Sequence, residues 1–134
     1  MKPRDAKRKL LGEWLHKADA DLDLAEHLLS DNVVYPDAIA FHCQQAAEKY
    51  LKAFLVSCGV GFPKTHDLGE LLDLIQPVQA ALAESLQDVI VLTPYGVDLR
   101  YPGDRPEATA QEARDAVALA RKVRAAVHDA LPPS

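Results

Sequence analysis

The segment from Phe41 to Leu55 constrains the fold of this chain more than any other. On a 3.6-residue period, Ile39, Cys43, Ala46, Tyr50, Phe54 and Cys58 gather on one broad apolar face. His42, Gln45 and Lys49 line up along one edge of that face, three and four residues apart. A helix with a purely structural role has no need of an imidazole, an amide and an ammonium stacked beside its core. The opposite side is not cleanly polar, because Phe41 and Leu55 lie there among Gln44, Glu48 and Lys52. Packing from more than one direction follows.

Helices account for the rest of the chain as well. A first helix is predicted from about Asp5 to Leu29, with Leu11, Leu15, Ala18, Leu22, Ala25 and Leu29 as its stripe and Trp14 at the margin. Ser30, Asp31 and Asn32 supply a polar stop, and Pro36 suits the first turn of the second helix. That helix continues to Cys58, where Gly59 is placed to end it in a left-handed conformation. Asp67 with Glu70 three residues on reads as a variant capping box for a shorter helix. Pro77 separates it from a helix over about Val78 to Val91. The last helix is predicted from about Glu107 to Leu131, its stripe being Ala113, Ala116, Ala120, Val123, Val127 and Leu131. No segment alternates convincingly as a strand, so the fold class is all-α, an antiparallel up-and-down bundle of four to five helices. The stretch from Thr93 to Pro106 breaks the short-loop pattern with three prolines and two glycines, and carries two tyrosines and two arginines.

A chain of 134 residues suits a single domain, residues 1–134, with a real core. Its net charge of −5 argues against coating nucleic acid by bulk electrostatics, though a local basic groove remains compatible with it. No stretch approaches the ~20 apolar residues of a membrane span. The polar N-terminus lacks the apolar core of a signal peptide, so the expected location is cytoplasmic. Cys43 and Cys58 on one helix stand roughly 22 Å apart, beyond disulfide reach, and read as buried apolar thiols.

Motifs that carry chemistry are mostly absent. Asp19, Asp21 and Asp23 resemble the start of a calcium loop, but Leu24 and Ser30 occupy the positions that need Gly and Glu. These acids read as the solvated side of the first helix. The segment 59–65 hints at a phosphate loop, yet Pro63 stands where glycine is required and no strand precedes it. The five histidines show no metal-ligand spacing, and no cofactor or metal is expected. On the last helix Arg114, Arg121 and His128 share a flank, read either as a solvated face or as a basic strip for an RNA backbone.

At Phe41-His42-Cys43-Gln44-Gln45-Ala46-Ala47-Glu48-Lys49, followed by Leu51-Lys52-Ala53, the chain resembles the HEPN family (higher eukaryote and prokaryote nucleotide-binding domain). Further matches follow at Pro63, Thr65, His66 and Leu68, then at Arg100-Tyr101-Pro102, and Trp14, Ala18, Asp21, Leu22 and Ala25 fit the family's first helix. The resemblance implies a helical bundle, usually a homodimer, in which a partner subunit or neighbouring helix covers Phe41 and Leu55. It further implies one half of a two-component, toxin–antitoxin-like module with a minimal nucleotidyltransferase as partner. Several branches of the family are metal-independent ribonucleases that use an Arg followed four to six residues later by a His. Arg100 and Arg105 have no such histidine, and Arg121 with His128 lies at the far end of the last helix. The chain thus resembles the branch without the ribonuclease pair. The expected nucleotide- or RNA-binding residues are Arg100 and Tyr101 from the long connection, with His42, Gln45 and Lys49 as the adjoining wall. A ribonuclease with an atypical site and a non-catalytic dimeric scaffold stand as the alternatives.

Overall fold

Fourteen of the 22 residues of one helix are buried, which makes that helix the axis of the structure. The computed structural model describes residues 2–96 and 106–132. Its elements are α1 (Pro3–Leu28), α2 (Pro36–Ser57), α3 (Leu68–Ile75), α4 (Ala80–Ser85), a 3-10 segment (Gln87–Gly96) and α5 (Ala110–Ala130). Helix α2 is the central element, touching α1, α3, α5 and the 3-10 segment. Ile39, Cys43, Ala46 and Tyr50 are fully enclosed, as are Ala47, Leu51 and Leu55 on other sides of the helix. Leu55 is therefore covered within the chain, while Phe41 is only partly buried and sets its ring edge-on to His42 at 5.2 Å.

Helix ends follow local chemistry. Pro36 opens α2, and Gly59 with φ of 69° closes it. There Val60 N–H donates to the Leu55 carbonyl and Gly59 N–H to that of Val56, both at 3.0 Å, a complete Schellman arrangement. The Asp67 carboxylate caps α3 by accepting from the N–H of Gly69 and of Glu70. Glu70 does not complete a capping box; it accepts from the Thr65 hydroxyl at 2.8 Å. The box appears instead at α5, between Thr109 and Glu112. The backbone N–H of Thr109, with the Tyr95 hydroxyl, holds the Glu112 carboxyl below its ordinary range. That contribution to stability is present above the usual glutamate range and fades as pH falls through the lowered value.

The predicted helix over 78–91 is a correction. Only Ala80–Ser85 is α-helical, and from Gln87 the backbone tightens into 3-10 turns that run to Gly96. Val89-Ile90-Val91 is a β-branched run, and Pro94 lacks an N–H, so neither favours α-helix. Leu86, Val89 and Leu92 are buried at intervals of three, the period at which 3-10 side chains eclipse. The segment docks by that stripe, and Leu68 N–H bonds the Thr93 hydroxyl at 3.2 Å. At its end Gly96 lies so close to α2 that an added Cβ would stand 2.4 Å from Gln44 Cδ.

Gln44 is fully buried and its amide is engaged by Glu48, the His66 carbonyl and Gln45, so moving it aside breaks hydrogen bonds. Gly96→Ala is expected to lower stability by about 1–3 kcal/mol through overpacking. Gly12→Ala, on an exposed helical position with open space around it, is expected to raise stability by about 0.5–1 kcal/mol. Urea unfolding of both variants checks the pair, and equal effects of one sign contradict the packing described.

Candidate functional site

Two carboxylates, one from α1 and one from α2, each gather a histidine and a lysine. On the first, Asp21 accepts from His42 Nδ1 at 2.9 Å and from Lys49 Nζ on α2. Asp21 is 14% exposed, against 26% for His42 and 21% for Lys49. The reading of Asp21 as a solvated acid is thus corrected: α1 packs along α2 at a register that inserts it between the His42 imidazole and the Lys49 ammonium. Asp19 also turns inward, accepting from the Tyr50 hydroxyl, and only Asp23 of the three is exposed. Burial, then the bond to Asp19, raises the Tyr50 phenol above its ordinary range.

The second carboxylate is Glu48, 3% exposed. Its Oε1 accepts from His66 Nδ1 at 2.8 Å and from Gln44 Nε2 at 3.2 Å, and its Oε2 from Lys52 Nζ at 2.9 Å. Lys52 is itself buried, its ammonium 5.5 Å from the Trp14 ring centroid and 5.8 Å from that of Phe62. The two rings meet edge to face at 6.1 Å. Gln44 also donates to the His66 backbone carbonyl at 3.0 Å, which pins the connector to α2. His66 itself is 67% exposed. Among the described residues no buried side-chain nitrogen or oxygen lacks a partner.

Sequence reasoning placed His42, Gln45 and Lys49 together. The structure brings His42 and Lys49 onto Asp21, while Gln45 donates to Gln44 Oε1 at 2.7 Å and so links the wall to the Glu48 cluster. Arg100 and Tyr101 lie outside the described residues. Gln44, Glu48 and Lys52, read with Phe41 and Leu55 as a side that is not cleanly polar, are buried, in line with the packing from more than one direction expected of this helix. Their signal was available in Phe41 and Leu55, apolar residues on that same side. The flank of α5 is tied into the fold: Arg114 donates to the Asp31 carbonyl at 3.2 Å and Arg121 pairs with Glu26. Cys43 is buried, and desolvation with nearby Glu26 pushes its thiol up to about 12, whereas Cys58 is only partly buried. An open hollow of about 510 Å³ beside Leu10, Val56 and Phe62 is mainly apolar, with no convergence of polar groups. No helix among the described residues is long and apolar enough to cross a membrane.

Comparison with known proteins agrees with this fold. The HEPN domain family matches residues 11–130. The crystal structure of TT1696 from Thermus thermophilus superposes with a TM-score of 0.70 at 30% sequence identity, covering 90% of this chain and 98% of that one. No curated protein matches the chain.

Removing one partner of a buried ion pair strands the other charge. Lys52→Met is therefore expected to cost about 3–5 kcal/mol, and adding Glu48→Gln to it to recover part of that loss. Chemical denaturation of the two variants checks this; a double variant less stable than Lys52→Met contradicts the pairing.

Proposed function

This chain belongs to the HEPN family, and on that premise we propose that it binds a nucleotide or RNA. We take it to act as a homodimer and as one half of a two-component module whose other half is a minimal nucleotidyltransferase. The observation that supports the binding reading is the imidazole and the ammonium held together on Asp21. His42 and Lys49 are positioned on a rigid central helix, fixed by a shared carboxylate, and still partly open to solvent. The Lys49 ammonium keeps N–H donors beyond its bond to Asp21, and a donor fixed in this way suits a phosphate oxygen, since little ordering is needed on binding. Asp21 offsets the Lys49 charge, so affinity rests on hydrogen-bond geometry more than on net attraction.

Arg100 and Tyr101 follow Gly96 by four and five residues in the sequence. In this reading the guanidinium pairs with a phosphate and the phenol stacks on a base. A small nucleotidyltransferase encoded next to this chain would support the paired module. Lys49→Ala and Arg100→Ala are each expected to weaken binding of a labelled single-stranded RNA roughly tenfold, the scale of one charge-assisted hydrogen bond. Fluorescence anisotropy reads the affinity, and an unaltered thermal unfolding curve establishes that the fold is intact. Unchanged affinity in both variants would falsify the site.

A further inference from the structure

His66 combines an exposed imidazole with a buried anchor. Glu48 accepts from its Nδ1 at 2.8 Å, and an ionised carboxylate can only accept, so the proton of the neutral ring resides on Nδ1. Nε2 then carries a lone pair on the side of the ring away from Glu48, and the side chain is 67% exposed. The anchor is fixed from three directions, by Gln44 and His66 on one oxygen and by Lys52 on the other. Gln44 also holds the His66 carbonyl at 3.0 Å, so backbone and ring are both restrained. Apolar residues in place of a buried ion pair are often as stable or more so, and a purely structural role is a weak reason for this arrangement.

We propose that His66 is a ligand-contacting residue whose Nε2 accepts a hydrogen bond from a ligand hydroxyl, with Gln44, Glu48 and Lys52 as its positioning residues. A hydroxyl is favoured over a phosphate. A neutral ring whose Nδ1 proton is held by Glu48 has no N–H left to offer a phosphate oxygen, whereas its Nε2 lone pair accepts from a hydroxyl. The proposal rests on the reading that the chain binds a nucleotide or RNA, where the hydroxyl is that of ribose. The Gly96 end of the 3-10 segment presses on Gln44, whose amide holds the His66 carbonyl, so the connector and that end meet on one side chain.

The test compares a labelled oligoadenylate RNA with the DNA of the same sequence, which lacks the 2′-hydroxyl. Anisotropy gives both affinities for wild type, His66→Ala and Glu48→Gln, with thermal unfolding as a control on folding. His66→Ala is expected to weaken RNA binding about three- to tenfold, the net worth of one hydrogen bond, and to leave DNA binding unchanged. Glu48→Gln, which no longer fixes the tautomer, moves the RNA-to-DNA ratio in the same direction by less. RNA binding with an unaltered ratio in His66→Ala overturns this inference and leaves the proposed function standing. Absence of RNA binding by the wild type overturns both.

Discussion

Everything in the site depends on one buried carboxylate. Glu48 sits at 3% exposure in the central helix, and a charge taken out of water there is tolerable only with both oxygens answered. Lys52 answers one oxygen, and Gln44 with His66 answers the other. Each of those partners in turn fixes something else. Lys52 needs Trp14 from α1 and Phe62 from the connector as its walls, and Gln44 needs Gly96 to have no side chain. One acid thereby couples α1, the connector before α3 and the end of the 3-10 segment to α2.

The second unit repeats the chemistry in a wetter setting. Asp21 holds His42 and Lys49 as Glu48 holds His66 and Lys52, but its carboxylate belongs to a neighbouring helix and its partners remain partly exposed. Gln45 and Gln44 join the two units through a single hydrogen bond of 2.7 Å. The result is a polar line across the side of α2 in which each histidine offers Nδ1 to a carboxylate. Such a line is costly to bury, and networks of this kind specify one arrangement strongly when fully satisfied.

How much of this could be read beforehand depended on whether the signal was local. The termini of α2 followed from Pro36 and Gly59, because capping is chemistry between neighbours in sequence. Grouping His42 with Lys49 needed only helical period. What they bind did not: Asp21 lies 21 and 28 residues away, and although it borders the stripe of Ala18, Leu22 and Ala25, its partners appear only when the helices are packed. That Gln44, Glu48 and Lys52 share a side with apolar Phe41 and Leu55 was equally local, but the partners they pack against were not. The 3-10 segment was legible in principle from Leu86, Val89 and Leu92 spaced by three, a period easily absorbed into an α-helical pattern.

Both histidines are pre-set by carboxylates before any ligand arrives, and the site stands or falls on that. Imidazole nitrogen chemical shifts of the free protein, measured by NMR above the histidine titration range, test it directly. His42 and His66 are expected to carry their proton on Nδ1 with a bare Nε2, unlike exposed His16 and His27, which should show the ordinary mixture. A mixture of tautomers at His66, or a proton on its Nε2, would contradict this, because Glu48 would then not be orienting the ring.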